Sequence, residues 1–548
     1  STDPEGLDAV TLEIVRNQLE GVAEEMGEVL ITSAYSPNIK ERQDCSTALF
    51  DSTGRLVAQA EHIPVHLGAM PSAVDTVLEY DPEPGDVFVL NDPFAGGTHL
   101  PDVTMVSSIS SDESEKDGEI VGYAVSRAHH ADVGGMTPGS MPAGAREIYQ
   151  EGLRLPPTRL VRNGDIDTTV MELILSNVRN PRERRADLRA QLAANERGGE
   201  RLGALLTEYS HDRLLESFDA VIDYSRERIE SELMDLPDGT WEANDVLEGD
   251  GVTDDQIPIE TTIELDGGTV TVDFTGTANQ VAGNLNAPLA VAKSAVYFVI
   301  RCVTDPEIPP NQGCYDPISV HAPEGSLLNP DSPAAVVGGN VETSQRVTDV
   351  TFAALFEAAP EVVPAGGQGT MNNLTIGSRS GEFSYYETIG GGFGGRPDAD
   401  GMDGVQVGMT NTLNTPVEAL EAAYPLSVER YALRPGSGGR GRYRGGLGIE
   451  RVVTVDTDAT VSLLTERRRV APRGIAGGSD GATGQNLIDG EEVGAKTTRE
   501  VEAGTTVTVR TPGGGGHGNP AERDPALEER DRLDGKVVET VVDAVRED

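Results

Sequence analysis

Histidines and carboxylates crowd one stretch of the chain, in which five of its eight histidines lie between residues 62 and 130. The histidines are His62, His66, His99, His129 and His130, and the carboxylates among them are Glu61, Asp92, Asp102 and Asp132. Imidazole nitrogens together with a carboxylate oxygen are typical ligands of a divalent transition metal. Such a site with open coordination positions polarises a carbonyl group or activates water. The pattern predicts a site for Zn, Mn or Fe, among which mixed nitrogen and oxygen ligands do not discriminate.

Two of these side chains, His99 and Asp102, sit in a segment that we expect to be a loop. Residues 91–102 contain two prolines and a Gly-Gly pair, which disfavour both a helix and a strand ladder. The loop would present His99 and Asp102 from a rigid turn.

The strands that follow decide which histidine can reach Asp102. Residues 103–109 and 120–125 predict two strands of a hairpin, in which residue 102 would face residue 127 or thereabouts. Successive strand side chains point to opposite faces, so only one of His129 and His130 can share a face with Asp102. Register alone does not decide between them, and the parity shared with Arg127 favours His129. The alternative is that these histidines hydrogen-bond to buried carboxylates, or hold a metal that only stabilises the fold.

A second candidate site is the glycine-rich run at 385–396. Consecutive glycines can aim backbone N–H groups at an anion, and Arg396 would add a positive charge. The alternative is a tight turn between strands. The chain has no Gly-x-x-x-x-Gly-Lys-[Ser/Thr] pattern, so we do not expect it to bind ATP through a P-loop.

Composition excludes several classes of protein. With 43 Lys and Arg against 91 Asp and Glu, the formal net charge is −48, which argues against nucleic-acid binding. The acid is spread along the chain among well-spaced apolar runs, which predicts a folded protein with a halophilic surface suited to concentrated salt. The sequence shows no signal peptide and no apolar run of about 20 residues that could span a membrane. We therefore expect a cytoplasmic protein.

The elements that must position these residues are mixed. Apolar spacing predicts helices over residues 8–34, 168–213 and 212–235, and short strands over 87–90, 259–265 and 270–274. The predicted fold class is a multi-domain α/β (mixed α+β) protein. Its three predicted regions are a mixed α/β region at 1–240 with the metal cluster, a Gly-rich region at 241–430, and a β-rich region at 431–548 with an acidic helical tail.

Several segments together resemble the hydantoinase B/oxoprolinase family, which includes subunits of acetone and acetophenone carboxylases. The resemblance runs nearly end to end. It is carried by Asn38–Arg42, Ala60–Gly68, Gly96–Asp102, Arg127–Gly135, Pro138–Pro142, Glu151-Gly152, Asp273–Thr277, Gly339–Arg346 and Glu387–Gly395.

The resemblance implies a division of labour between two subunits. An actin-like ATPase, the A-type subunit, would phosphorylate the carbonyl oxygen of a small cyclic amide or ketone, and this B-type chain would complete the reaction in a hetero-oligomer. The family's His-x-x-Asp pair with a later histidine transfers onto His99, Asp102 and His129 or His130. The predicted catalytic residues are Glu61, His62, His130 and Asp132, with Glu61 also a candidate fourth ligand.

Three functions remain open at this point. The chain is predicted to be a subunit of an ATP-dependent hydantoinase or 5-oxoprolinase. The alternatives are a subunit of an ATP-dependent carboxylase and a noncatalytic partner that stabilises the ATPase.

Overall fold

A computed structural model describes residues 9–61, 63–111, 118–378 and 380–538, with the side chain of Glu61 left out. The protein is a mixed α/β fold with four sheets among these residues. No helix in the described part of the chain is both long and apolar enough to cross a membrane.

The first sheet carries the histidine cluster. Its seven strands are antiparallel to their neighbours, in the order β2-β1-β5-β4-β3-β6-β7. The strands are β1 (Cys45–Asp51), β2 (Leu56–Glu61), β3 (Val87–Leu90), β4 (Asp102–Ser110), β5 (Ile120–His129), β6 (Thr158–Arg162) and β7 (Asp165–Ile166).

Both faces of this sheet are buried, and alternating residues of β5 show the two sides. Ala124 packs with the long helices α1, α5 and α6, whereas Tyr123 and Val125 face the main core, which also contains α3, α7 and α9. Val121 is the extra residue of a bulge in β5 and therefore packs on the same side as Ala124. Ala128 joins the α1 and α5 side. The helices in chain order are α1 (Ala9–Ser33), α2 (Pro37–Lys40), α3 (Ala69–Leu78), α4 (Thr168–Leu175), α5 (Pro181–Tyr209), α6 (His211–Met234), α7 (Leu289–Val303), α8 (Gln312–Tyr315), α9 (Ser344–Leu355), α10 (Val417–Ala423) and α11 (Pro525–Leu533).

The predicted helices are confirmed, with one interruption. The helix predicted over 168–213 is two helices, α4 and α5, because the chain turns at Asn180, which has a positive φ, and restarts at Pro181. Proline is well suited to the first turn of a helix, where its missing N–H costs no hydrogen bond. The domain boundaries near 240 and 430 stay predictions.

Three further sheets follow. The second, in the order β11-β10-β9-β8, packs on α9, and the third and fourth form the C-terminal core. Their strands are β8 (Gly239–Leu247), β9 (Ile257–Asp266), β10 (Thr269–Asp273), β11 (Ile318–His321), β12 (Asn373–Ser378), β13 (Ser384–Glu387), β14 (Leu426–Leu433), β15 (Ile449–Val455), β16 (Ala459–Leu464), β17 (Gln485–Ile488), β18 (Glu491–Val493), β19 (Lys496–Val501) and β20 (Thr505–Arg510).

The glycine-rich run is neither an anion cradle nor a tight turn in this structure. N–H groups of the run donate to other glycine-rich segments: Gly391 to Val405, Gly392 to Pro512, Phe393 to Met402 and Gly395 to Gly515. The segments lie so close that a Cβ at Gly394 would stand 1.7 Å from the Ala365 carbonyl oxygen. Glycine is needed here for backbone contact, and these N–H groups are already occupied by the protein.

Candidate metal centre

A short turn places His99 beside Asp102. The loop after β3 is pinned by Asn91, whose side chain donates to the Leu100 carbonyl and accepts from the Leu155 N–H. The Asp102 N–H then donates to the His99 carbonyl at 3.2 Å. This tight turn brings His99 Nε2 within 3.0 Å of Asp102 Oδ1. The predicted loop is therefore confirmed, and it delivers both side chains to one point.

The hairpin of β4 and β5 brings in His129. Asp102 is paired directly with His129, and His129 Nδ1 lies 3.1 Å from Asp102 Oδ1. The predicted partner, residue 127, is wrong by two positions. One position comes from a bulge, because Ser110 pairs with Ile120 but Ile109 pairs with Gly122, and the other comes from a connection centred later than residues 114–115, the centre that the expected pairing implies. An offset of two keeps the same face, so the expected proximity of Asp102 and His129 holds.

Three imidazole rings and one guanidinium group surround the Asp102 carboxylate. Besides His99 and His129 at Oδ1, the Arg127 guanidinium lies 3.1 Å and His66 Nε2 3.4 Å from Oδ2. All five side chains are buried. Burial alone would raise the pKa of Asp102, but the surrounding His99 and Arg127 hold it well below its ordinary value. The site therefore contains a carboxylate that stays ionised at neutral pH.

Each of the three histidines around Asp102 has one buried ring nitrogen without a hydrogen-bond partner in the described part of the chain. Nε2 of His66, His99 and His129 are buried and form no hydrogen bond with any described residue. His99 Nδ1 lies 3.4 Å from the Val337 carbonyl, an acceptor that places the proton on Nδ1 and leaves a lone pair on Nε2. Burial lowers the pKa of His99, which keeps the ring neutral. Buried polar atoms without partners are rare, and an imidazole lone pair in such a position suits a metal.

The donor geometry fits a metal ion. One ligand atom each from His99, Asp102 and His129 lies within 4.8 Å of the others, so a single ion could contact all three. The two imidazoles and one carboxylate match the ligand preferences of Zn, Mn and Fe.

Contacts on two sides of His129 hold its imidazole ring in place. Tyr386 stacks on the imidazole with centroids 4.4 Å apart and planes inclined by 16°. The Tyr386 hydroxyl donates to Asn373 Oδ1 at 2.9 Å, and the Asn38 side chain donates to the His129 carbonyl at 2.8 Å. The orientation of His129 is therefore held from two sides.

His66 belongs to the histidine cluster of the sequence, but it was not predicted as a metal ligand or a catalytic residue. It ends a short 3-10 turn, Pro64–His66, and its Nδ1 lies 2.9 Å from Ser46 Oγ on β1. Ser46 pairs with Arg127 across β1 and β5, which places His66 over the same part of the sheet. The sequence signal was the segment 60–68, in which His66 was one histidine of two.

Two predicted catalytic residues point elsewhere. His130 lies on the opposite face, where its Nε2 is 2.8 Å from Gln191 Oε1 on α5, and burial lowers its pKa to about 4. Asp132 accepts backbone N–H groups from Gly134, Gly139 and Arg179, so it organises a loop. Neither side chain contacts Asp102 in the described structure. Glu61 ends β2, but its side chain and the whole of His62 lie outside the described residues.

The chain is similar to several known proteins. The chain is 40% identical over 543 residues to 5-oxoprolinase 1 of Arabidopsis thaliana, covering 93% of this chain but only 42% of the longer plant protein. The crystal structure of an ATP-dependent caprolactamase from Pseudomonas jessenii superposes with a TM-score of 0.90 and 29% identity, covering 97% of this chain and 95% of that one. Acetone carboxylase shares the fold, with a TM-score of 0.86 at 19% identity over 96% of this chain and 78% of that one.

The match to a family profile extends over almost the whole chain. Residues 8–520 fit the family described as Hydantoinase B/oxoprolinase, so the segment contains every strand of the four sheets and each residue around Asp102. On this evidence the chain belongs to the hydantoinase B/oxoprolinase family.

Proposed function

We propose that this chain completes the ATP-dependent hydrolysis of a cyclic amide at the site around Asp102. The observation that carries the proposal is a buried, ionised carboxylate beside three imidazole rings, each of which has a buried Nε2 without a hydrogen-bond partner among the described residues. The similar caprolactamase and 5-oxoprolinase support the choice of substrate, because caprolactam and 5-oxoproline are both cyclic amides. A hydantoin or an oxoproline-like ring is therefore the substrate class.

The metal would be held by His99, Asp102 and His129. When bound there, a divalent ion would polarise a carbonyl oxygen and make water a better nucleophile. Arg127 fixes Asp102 Oδ2 and so leaves Oδ1 directed at the two histidines. The surrounding protein excludes bulk water, which strengthens electrostatic interactions within the site.

We assign the ATP-dependent step to a partner. An amide is a poor electrophile, and phosphorylation of its carbonyl oxygen turns that oxygen into part of a leaving group. The family resemblance implies that the phosphoryl donor is bound by an actin-like A-type ATPase subunit, and this chain carries no P-loop pattern of its own. The plant 5-oxoprolinase supports this division, because this chain matches only 42% of its length and leaves room for an ATPase part.

Other roles stay predictions. They include catalytic functions for Glu61, His62, His130 and Asp132, the halophilic surface, and the cytoplasmic location. The choice among Zn, Mn and Fe also stays open to measurement.

The test compares two buried carboxylates. Asp102→Asn removes the charge at the site, and Asp132→Asn removes a charge from the nearby loop. Each variant is purified, its Zn, Mn and Fe content is measured, and ring opening of 5-oxoproline and hydantoin is followed with ATP and the A-type ATPase present. We expect Asp102→Asn to lose both metal and turnover, and Asp132→Asn to retain its metal.

Other outcomes would redirect the proposal. Turnover that requires bicarbonate and a ketone substrate would identify a carboxylase instead. Full turnover by Asp102→Asn, together with failure to assemble with the ATPase, would identify a noncatalytic partner. Native protein that binds none of the three metals would contradict the metal centre.

A further inference from the structure

A second cavity, of about 260 Å³, lies between α7, α9 and the glycine-rich segments. It is apolar on one side, where three phenylalanine rings from the two helices and the segment after α9 meet its interior. These are Phe298, Phe352 and Phe356. Glycines line the other side, among them Gly366, Gly367 and Gly394, so backbone rather than side chains forms that wall. Drug-sized ligands occupy pockets of roughly 300 to 1,000 Å³, so this cavity suits a smaller, metabolite-sized molecule.

The charged side chains of this cavity favour an anion. Two carboxylates, Asp245 and Asp349, are both engaged by the Arg467 guanidinium, at 3.0 and 2.5 Å. Two more arginines line the cavity, Arg396 and Arg473, and neither has a carboxylate partner or a side-chain hydrogen bond in the described structure. Arg396 Nε is also buried without an acceptor. The lining is therefore net positive, although the whole chain carries a formal charge of −48.

A chain of hydrogen bonds joins the cavity to the turn that carries His66. Its floor includes Gln345, in the first turn of α9, whose side chain donates to the Val407 carbonyl at 2.9 Å and accepts from Met409 N–H at 3.4 Å. The Met409 carbonyl in turn accepts from Val65, the neighbour of His66. The floor of the cavity is thus joined to the His66 turn through one intervening residue.

We infer that this cavity binds a small organic carboxylate with an apolar body, held by Arg396 and Arg473 above the phenylalanine side. Guanidinium groups recognise carboxylates through paired, charge-assisted hydrogen bonds, and the phenylalanines bury the apolar part. Hydrolysis of a cyclic amide adds water across the C–N bond, so the carbonyl carbon becomes a carboxylate and the nitrogen becomes an amino group, or for hydantoin a ureido group, of the same molecule. For a ring without a carboxylate of its own, such as hydantoin, a site that prefers carboxylates would therefore hold the product, whereas 5-oxoproline carries a carboxylate before and after ring opening; this identification of the ligand rests on the proposed function, whereas carboxylate binding does not.

The single exposed cysteine offers a direct readout. Cys302 lines the cavity, whereas Cys45 and Cys314 are buried, so a neutral alkylating reagent should react with Cys302 alone in the folded protein. Iodoacetamide labelling, followed by intact mass, is measured with cyclohexanecarboxylate or with its neutral isostere cyclohexanecarboxamide. We expect the carboxylate to slow labelling, and the amide to need a concentration about tenfold higher for the same effect.

Substitutions of Arg396 and Arg473, which form the cationic rim of the cavity, locate the binding site. Arg396→Gln and Arg473→Gln break no ion pair among the residues that the structure describes, and each should weaken protection by cyclohexanecarboxylate about tenfold. Arg197→Gln is the matched control, since Arg197 pairs with Glu200 on the exposed side of α5 and does not line the cavity. Equal protection by the two probes, no protection, or unchanged protection in both rim variants would overturn the inference.

The same assay separates this inference from the proposed function. Asp102→Asn should abolish ring opening and leave Cys302 protection unchanged. Native protein that shows protection without ring opening would leave the carboxylate site intact and refute the proposed function alone.

Discussion

The Asp102 carboxylate and the His129 imidazole lie 3.1 Å apart because their residues are direct partners across β4 and β5. Opposed residues of an antiparallel pair project their side chains to the same face, so the contact is built into the sheet. The next residue, His130, projects to the other face and reaches Gln191 on α5. Two adjacent histidines are therefore separated by the sheet itself.

This separation predicts opposite outcomes for adjacent substitutions. His129→Gln removes a nitrogen from the Asp102 site and should lower the bound metal to a small fraction of the native content. His130→Gln lies on the far face and should retain native metal content, although it perturbs the contact with Gln191. Elemental analysis after gel filtration measures both. Metal loss in His130→Gln alone would show that the hairpin register is wrong.

Glu151 is predicted to tune metal affinity without touching the metal ligands. Its carboxyl oxygens accept from the Val336 and Val337 N–H groups at 3.0 to 3.1 Å, and the Val337 carbonyl faces His99 Nδ1. Glu151→Ala leaves two buried N–H groups without acceptors and loosens the carbonyl that orients His99. Loss of such indirect support typically costs about 10-fold to 100-fold in metal affinity.

Competition with a metal-sensitive dye measures that affinity at fixed pH. Glu151→Gln is the control, because its amide oxygen can still accept from both N–H groups, so its affinity should stay near the native value. Equal affinities for native protein and Glu151→Ala would exclude a role for the Val336–Val337 segment.

Much of this site could be predicted from the sequence, because strand alternation is local. The apolar runs on either side of the 111–119 connection predicted the hairpin, and side-chain parity predicted the proximity of Asp102 and His129. The bulge between Ile109 and Ser110 left no sequence signal, and it accounts for one of the two positions by which the register differs from the expected one. His66 could not be placed either, since it reaches Asp102 only through packing of its turn on α7 and β1.

For the glycine-rich run, the sequence could not predict which part of the molecule the backbone contacts. Consecutive glycines predicted an anion-binding loop or a tight turn, whereas in the structure they allow the backbone of other segments to approach closely. The neighbours are segments more than 100 residues away in some cases, such as Gly515 opposite Gly395. No local pattern could distinguish such a contact from one with an anion.

A pH-dependent contribution to stability is predicted for Glu342. Burial raises its pKa to about 8, and its Oε1 accepts from Met371 N–H and the Asn373 amide. Between the ordinary pKa near 4.5 and this value, the folded state holds a proton that the unfolded state releases. The stabilisation is therefore complete below pH 4.5 and is lost as the pH rises through about 8, at up to about 1.4 kcal/mol per pH unit.

Glu342→Gln mimics the protonated side chain and removes this proton. The variant should gain thermal stability relative to the native protein as the pH rises from 5 to 8, because only the native protein loses stability through Glu342. Unfolding temperatures of the two proteins, measured in parallel across this range, give the difference free of other titrating groups. Parallel curves would show that Glu342 ionises normally in the folded state.

Substitutions of single glycines by alanine test the backbone packing among the glycine-rich segments. A Cβ at Gly446 would stand 1.8 Å from the Met402 carbonyl oxygen, and one at Gly394 would stand 1.7 Å from that of Ala365. Both contacts are with backbone, which cannot turn aside as a side chain can. Gly446→Ala and Gly394→Ala should each lower the free energy of unfolding by more than about 3 kcal/mol, the upper end of ordinary overpacking, and yield little soluble protein.

Gly203→Ala is the control, because no atom lies within 4 Å of its Cβ position in α5, and alanine should stabilise the helix by about 0.5 to 1 kcal/mol. Soluble yield and unfolding temperature distinguish the three variants. Native-like stability of Gly446→Ala would mean that the segments stand farther apart than the structure shows, and it would reopen the run as a binding loop.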